Sequence, residues 1–258
     1  LGNSPDPLDL IEKYSADGVR TGMLFCSPAG NDLPFDEKLC EQGRNFTNKI
    51  WNALRLVKGW EISTEINNIE NEKSKYAIRS TEYVFIWFEN KLELLKENLE
   101  KSYASYRLSE ALIDLYKFIW DDFCSWYLEF VKPPFGEKID AVSYQKTVLY
   151  FEELMKLLHP FMPFISEEIY HHLNEERTED ICIATYPTNK SYDTNIISEG
   201  EKLKEIISAI RDVRNKNGLS PKVTLTVYIN ATDKIVYQKF GALIEKIANI
   251  NPIAFTET

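Results

Sequence analysis

Cysteine is scarce in this chain of 258 residues, and its spacing suits neither disulfides nor metal. The cysteines form no CxxC pair and no dense framework; they are Cys26, Cys40, Cys124 and Cys182. This pattern excludes a disulfide scaffold, argues against a structural zinc site and favours reduced thiols in a cytoplasmic protein.

Histidine is scarcer still, with only His159, His171 and His172 in the chain. Neighbouring residues on a helix point about 100° apart, so His171 and His172 do not form a two-ligand face. The sequence therefore predicts no metal site.

Motifs for nucleotide binding and hydrolysis are also missing: the sequence contains no GxGxxG, no P-loop and no GxSxG. Adjacent carboxylates such as Asp121 and Asp122 would diverge on a helix, which does not suit an acid and base pair. We therefore predict no catalytic residue in this chain.

No apolar run reaches 18 residues, and the N-terminal LGNSPDPLDL has neither a basic nor a hydrophobic region. These absences predict neither membrane insertion nor secretion, which again favours the cytoplasm. A composition of 44% hydrophobic and 27% charged residues is ordinary for a folded protein. The formal charge of −10 counts against a broadly basic nucleic-acid coat, so any RNA site must be a local patch.

Periodicity predicts a mainly α protein, a helical bundle with a small C-terminal α/β subdomain. The predicted elements are helices over 8–13, 15–25, 39–57, 80–102, 105–131, 148–158, 164–173, 199–217 and 239–250, a strand over 223–229 and an extended segment over 252–256. Turn-forming residues fill Ser27–Pro34, and Glu61–Asn71 is interpreted as a polar linker. In the 105–131 helix one side is predicted to be buried, with Leu108, Leu112, Leu115, Ile119 and Phe123.

The helix predicted from Leu39 has two contrasting faces. Its core-facing stripe is Phe46, Ile50, Ala53, Leu54 and Val57. The opposite side carries Arg44, Asn45, Asn48, Asn52 and Arg55, flanked by Lys49 and Leu56, and no acidic residue occurs between Gly43 and Trp60. Asn amides can pair with base edges and Arg with phosphates or bases. The pattern alone leaves two interpretations open, an RNA-binding face and an ordinary solvated face, and the second is the default.

A second basic cluster, predicted to be exposed, consists of Arg211, Arg214, Lys216 and Lys222. Acidic residues share its helix, namely Glu199, Glu201, Glu205 and Asp212. The pattern does not decide whether this cluster binds phosphate.

Five motifs, taken in order, strongly resemble valyl-tRNA synthetase, a class I aminoacyl-tRNA synthetase. The resemblance covers nearly the whole chain. The motifs are YSADGVR (14–20), SPAGNDLPFDE (27–37), RNFTNKIWNALRLV (44–57), FCSWYLEFVKP (123–133) and LLHPFMPFISEEIY (157–170). Two motifs, YxADxxR and HPFMP, are shared with the isoleucine and leucine enzymes. The AGND turn leading into RNFxNKIWNAxR favours valine.

The resemblance implies a class Ia architecture without its catalytic part. We expect a stem-contact segment over 1–34, an anticodon-binding helical bundle over 35–188 and a small α/β subdomain over 189–258. The Rossmann core, the editing domain and the HIGH and KMSKS motifs are expected before Leu1, and a coiled coil after Thr258. The implied parent enzyme joins valine to its tRNA using ATP with Mg, whereas this part needs no cofactor.

The resemblance also assigns roles around the Leu39 helix, with a monomeric chain and valine tRNA as its partner. We expect Lys38 and Lys49 to contact phosphate or base, and Asn48 and Asn52 to bind base edges. Arg55 is expected to stack on a base or to bind phosphate, and Leu56 to offer an apolar platform. Arg44 is expected to lie on the same face. All valine anticodons end in A and C, so these two bases need checking. Asp17 and Arg20 are expected to fix the geometry between catalytic core and bundle.

Two alternatives remain at this point. The chain could belong to the isoleucine or leucine enzyme, which share the helical signature. It could also be a non-catalytic RNA-binding or interaction module.

Overall fold

The computed structural model describes residues 5–26, 35–63, 72–220, 222–229 and 234–255. The helices are α1 (Pro7–Tyr14), α2 (Ala16–Phe25), α3 (Glu37–Lys58), α4 (Glu72–Ala104), α5 (Leu108–Lys117), a π-helix (Phe118–Tyr127), α6 (Leu128–Val131), α7 (Ala141–Leu158), α8 (Pro163–Leu173), a 3₁₀ turn (Ile181–Ile183), α9 (Thr194–Lys216) and α10 (Lys234–Ala248). The strands are β1 (Leu225–Ile229) and β2 (Ile250–Phe255). The mainly α fold with a small α/β piece near the C-terminus is confirmed.

Contacts divide the chain into two compact units, each made of separate stretches. The first unit comprises residues 1–64, 93–125 and 133–190; the second comprises 65–92, 126–132 and 191–258. This grouping does not follow the chain order of the three predicted domain ranges, which remain predictions.

Helix starts in the first unit follow capping rules. The Asp6 side chain accepts a hydrogen bond from the Leu8 N–H at 2.8 Å, with Pro7 at the first helical position. Ser15 caps α2 through its hydroxyl, which accepts from the Gly18 N–H at 3.3 Å. Pro163 occupies the first position of α8, one residue before the predicted start at Phe164. Each cap satisfies an N–H group that a helix start leaves unpaired.

Glycines allow α2 and α3 to cross at short distance. A Cβ built on Gly22 would lie 2.6 Å from the Cys40 backbone nitrogen. One on Gly43 would lie 2.6 Å from the Gly18 carbonyl oxygen. Since real Cβ atoms do not approach backbone this closely, glycine at these positions sets the separation of the two helices.

The core of the first unit is apolar and aromatic. Its fully buried side chains come from α3, α5, the π-helix, α7 and α8 and include Phe46, Ile50, Leu112, Leu115, Ile119, Phe123, Phe151, Leu154 and Ile169. Phe123 and Phe151 pack with ring centroids 4.9 Å apart. Burial on this scale is the main source of stability for the bundle.

The single helix predicted over 105–131 is wrong. The chain forms α5, then a π-helix over Phe118–Tyr127, then the short α6. Leu108 is 47% exposed, although Leu112, Leu115, Ile119 and Phe123 are buried as predicted. Leu108 is the first residue of α5, where the helix has not yet reached the core.

Four other helices begin at least five residues earlier than predicted; they are α4, α7, α9 and α10, which start at Glu72, Ala141, Thr194 and Lys234. Helix α7 starts at Ala141 because Asp140 is its N-cap; the Asp140 carboxylate accepts from the Ser143 N–H at 2.9 Å. Helix α9 starts at Thr194, capped by Asp193. Carboxylates at these positions satisfy the first-turn N–H groups as well as a Ser hydroxyl does.

The second unit contains the small α/β piece. Strands β1 and β2 pair in parallel, with Leu225 opposite Ile250, and are joined through α10. A connection between parallel strands requires such a crossover. Apolar packing in this unit includes Phe88 against Tyr127, with ring centroids 4.4 Å apart, and Gly200 against the Trp87 ring.

In the part of the chain that the structure describes, no helix is long and apolar enough to cross a membrane. The predicted turn Ser27–Pro34 and most of the predicted linker, residues 64–71, lie outside the described residues.

Candidate RNA-binding face

Helix α3 begins at a network that fixes it against α1. The Asp36 carboxylate caps the helix by accepting from the Lys38 N–H at 3.0 Å. The Glu37 carboxylate accepts from the Lys13 ammonium at 2.7 Å and from the Tyr14 hydroxyl at 2.8 Å. These bonds lower the pKa of Glu37. Lys38 is left exposed in the first turn of the helix.

The core-facing side of α3 is as predicted. The residues of this stripe are all buried: Phe46, Ile50, Ala53, Leu54 and Val57. Phe46 packs against Tyr116 of α5, with ring centroids 4.7 Å apart. The opposite side therefore faces away from the core along the whole helix.

We call the exposed residues of that opposite side the outer face of α3; they are Lys38, Asn45, Asn48, Asn52, Arg55 and Leu56. Within the described residues, none of its polar side chains has a hydrogen-bond or ion-pair partner. Leu56 is 41% exposed. The outer face thus offers amide and guanidinium donors that the protein itself does not use.

Arg44 differs from these residues because its side chain is engaged. It is half-buried, donates to the Lys13 carbonyl at 3.4 Å and lies 3.5 Å from the Glu41 carboxylate. Its guanidinium also lies over the Tyr14 ring, 5.6 Å from the centroid. Arg44 therefore contributes to the α1 and α3 contact, and its predicted role toward RNA remains a prediction.

Lys49 lies on one side of the outer face, over an aromatic ring. Its ammonium is 5.4 Å from the centroid of Trp120, which stacks with Tyr116 at 5.6 Å. No carboxylate of the described residues forms an ion pair with Lys49. Nearby, burial raises the pKa of the Cys124 thiol to about 12, although the positive charge of Lys49 opposes this shift. The π-helix thus holds Lys49 by a cation–π contact and leaves its charge uncompensated.

On the other side of the outer face lies the C-terminal end of α8. The Trp51 and His172 rings meet edge to face, with centroids 5.5 Å apart. Beyond them the Lys58 ammonium contacts the Glu175 carboxylate at 2.8 Å, which lowers the pKa of Glu175. Sequence reasoning did not find His172, because only the fold places it beside α3.

Asp17 and Arg20 both connect α2 to the HPFMPF segment. The Asp17 carboxylate, which is 3% exposed, accepts from the N–H groups of Ile165 at 2.7 Å and Phe164 at 3.4 Å. Arg20 donates to the carbonyls of Phe161 at 3.0 Å and Pro160 at 3.1 Å. These two residues therefore position α8 within the bundle, while their expected role toward a catalytic core is untested.

The second basic cluster is not uniformly exposed, and the prediction for Arg214 is wrong. Arg214 is only 4% exposed. Its guanidinium donates to four carbonyls, which belong to Ser220, Val223, Ala248 and Asn249, at 2.7–3.2 Å. It thus connects the end of α9 to the segments that precede β1 and β2, a role that a sequence cannot reveal. Arg211, Lys216 and Lys222 are exposed.

One group of possible metal ligands occurs among the described residues: Glu167, His171 and Asp180, with ligand atoms within 4.8 Å of one another. The ring of His171 lies 3.1 Å from Glu167 and 3.4 Å from Asp180. Glu167 also accepts from the Ile181 N–H at 2.9 Å. Partners within the chain thus account for this cluster, and the absence of a metal site remains a prediction.

Comparison with protein families identifies the fold. Residues 86–229, more than half of the chain, match the model described as the anticodon-binding domain of tRNA ligase. The chain belongs to this family. The match covers the bundle from α4 onward and ends at β1, so the outer face of α3 lies before it.

Curated relatives cover the anticodon-binding region together with α1 to α3. The chain is 46% identical over 256 residues to the valine–tRNA ligase of Christiangramia forsetii; this match covers 99% of the chain and 28% of that protein. It is 44% identical to the valine–tRNA ligase of Phocaeicola vulgatus, a match that covers 100% of this chain and 28% of that protein. It is 35% identical to the valine–tRNA ligase of Clostridium perfringens, a match that covers 100% of this chain and 29% of that protein. The chain thus spans somewhat over a quarter of the length of the relatives it matches.

Among solved structures, the LeuRS chain of a ternary complex with tRNA from Agrobacterium radiobacter K84 matches 98% of this chain and 30% of its own length, with a TM-score of 0.45 and 14% identity.

Proposed function

We propose that this anticodon-binding domain belongs to a valine–tRNA ligase and binds the anticodon loop of valine tRNA through the outer face of α3. The observation that carries the proposal is the set of donors on this face that have no partner in the part of the chain that the structure describes: Lys38, Asn45, Asn48, Asn52 and Arg55. Water can satisfy exposed polar groups, but a protein surface usually mixes charges of both signs, whereas α3 carries no acidic residue after Glu41.

Each residue type suits one part of an unpaired RNA loop. The amides of Asn48 and Asn52 fit base edges, and Arg55 fits a phosphate or the plane of a base. Lys38 and Lys49 add positive charge at the start of the helix and beside Trp120. A protein with a net charge of −10 can bind RNA only where positive charge is concentrated in this way.

The parent protein is proposed to join valine to its tRNA using ATP and Mg in the cytoplasm, with this chain acting as a monomer and without a cofactor of its own. Valine is favoured over isoleucine and leucine because the relatives that cover the whole chain at 41–46% identity are valine–tRNA ligases. Charging of the three tRNAs by the complete enzyme tests this choice.

The test of anticodon binding compares valine tRNA with two variants, altered at the second and at the third anticodon base. Affinities are measured at low ionic strength, where a small binding site retains measurable affinity. Preference for the unaltered anticodon is the expected result. Equal affinity for all three would mean that the chain recognises RNA shape and charge only, and no binding would refute the proposal.

A further inference from the structure

The outer face of α3 lacks a stacking surface of its own. Sequence-specific recognition of an unpaired RNA loop commonly stacks a base on an aromatic or His ring. None of the exposed residues of this face is aromatic, and Leu56 offers only a branched aliphatic side chain. A ring must therefore come from a helix beside α3.

Trp120 is poorly suited to this role. Its ring stacks with Tyr116 at 5.6 Å, with an interplanar angle of 29°, and the Lys49 ammonium lies over it at 5.4 Å. It also contacts the buried Phe46, with ring centroids 6.4 Å apart. The Trp120 ring is thus already engaged inside the protein.

His172 offers the alternative on the other side of α3. Its side chain is 44% exposed, and its ring packs edge to face with Trp51 at 5.5 Å. The Nε2 atom lies 3.2 Å from the Glu168 carboxylate one turn earlier on α8. These two contacts hold the ring from different directions, so its orientation is fixed before any ligand binds.

The position of this ring matches the donors of α3. Residues spaced by three, four and three form a single row along a helix, and here the row consists of Asn48, Trp51, Arg55 and Lys58. His172 meets the row at Trp51, and Glu175 meets it at Lys58. Asn48 and Arg55, both exposed and unpartnered among the described residues, thus lie one turn to either side of the residue that carries the ring contact.

The charges around His172 disfavour a phosphate as its ligand. The Glu168 carboxylate lies one turn before His172 on α8, and Glu175 and Glu176 follow the C-terminal end of the helix. A neutral base, which carries no charge to be repelled, fits this position.

We infer that His172, supported by Trp51, forms a stacking site for one unpaired base of the RNA loop, whose edge Asn48 and Arg55 can reach. The inference rests on the proposed function of α3 and adds a residue from a different helix to the site. It also provides the planar ring that Leu56, an aliphatic side chain, lacks.

The test measures binding of the full chain to a labelled anticodon stem-loop of valine tRNA. His172→Leu removes the planar ring and should weaken binding roughly 5- to 150-fold, the range of base–aromatic stacking. His172→Phe keeps a ring and should remain within about threefold of the parent. The salt dependence should stay unchanged in both, since no phosphate contact is lost. His171→Leu is the matched control, because His171 is similarly exposed but pairs with Glu167 and Asp180.

A second measurement identifies the base. Each loop nucleotide is replaced in turn by an abasic one, and the loss of affinity is compared in the parent and in His172→Leu. At one position the abasic replacement should weaken binding to the parent but have little effect on binding to His172→Leu. Equal costs at every position, or parent-like binding by His172→Leu, would overturn the inference while leaving α3 as the binding face. If the parent chain itself fails to bind the stem-loop, the proposed function fails first.

Discussion

Single residues on the polar side of α3 divide into those that contact other parts of the protein and those that have no partner among the described residues. Arg44 and Arg55 illustrate the division: Arg44 pairs with Glu41 and packs on Tyr14, whereas Arg55 is exposed and has no partner among the described residues. The sequence places both arginines on the same polar side. Only the structure, by bringing α1 against the start of α3, separates a packing role from a free one.

Arg55→Ala and Asn52→Ala are expected to weaken anticodon discrimination without affecting the fold. Both side chains point away from the buried stripe, so thermal melts should match the parent. Loss of Arg55 should cost about 1–3 kcal/mol of binding if it contacts a base, or reduce the salt slope by about one if it contacts a phosphate. Binding titrations against the altered anticodons measure this. Arg107→Ala is the control, because Arg107 is an exposed arginine at the start of α5 that pairs with Glu110. This variant should bind RNA like the parent.

Asp17 gives a prediction about pH. Burial raises its pKa above the ordinary 3.8, although the Ile165 and Phe164 N–H donors and the charge of Arg20 oppose this. A carboxyl group whose pKa is higher in the folded state contributes stability that is complete below about pH 3.8 and is lost as the pH rises through the raised value. Asn cannot ionise. The parent should therefore lose stability relative to Asp17→Asn as the pH rises from about 4 to 7. The difference between their free energies of unfolding, variant minus parent, should become more positive over this range. Urea titrations at several pH values test this, and a constant difference would contradict it.

At the scale of elements, periodicity predicted α3 well because its two faces differ along its whole length. The buried stripe lies where the sequence placed it, and the helix extends to Glu37–Lys58 through the Asp36 cap. The segment after Leu108 was predicted less well. Ile119 and Phe123 of the π-helix are buried just as Leu112 and Leu115 of α5 are, so the apolar pattern alone does not distinguish this segment from a continuous α-helix. Packing against α3 and α7 decides the geometry there, and a single sequence does not contain that information.

Phe46→Ala tests the buried side of α3. The ring is fully buried and contacts Tyr116 and Trp120 of the neighbouring helices. Its removal should destabilise the bundle by about 3–5 kcal/mol, through lost burial and the cavity left behind. Chemical denaturation followed by circular dichroism measures the change. Leu56→Ala, on the exposed side of the same helix, should cost far less, and equal costs for the two would contradict the orientation of α3.

At the scale of the whole molecule, the sequence predicted the fold class and the family, but it did not predict how segments distant in the chain combine. Residues 65–92 and 126–132 belong to the same compact unit as the C-terminal α/β piece, which no local pattern indicates. The candidate site shows the same limit. Its α3 residues follow from helical spacing, whereas His172 and Trp120 reach the site only through tertiary packing.

The three cations proposed at the α3 site make a quantitative prediction about RNA binding by the whole chain. If Lys38, Lys49 and Arg55 provide roughly three phosphate contacts to an unpaired loop, the slope of log K against log salt concentration should be about −2. Titrations with valine tRNA between about 50 and 200 mM salt measure it. A slope near zero would mean that these cations do not contact phosphate. A slope steeper than about −5 would require more cations than α3 supplies, and it would implicate the exposed Arg211, Lys216 and Lys222 as a second contact with the tRNA.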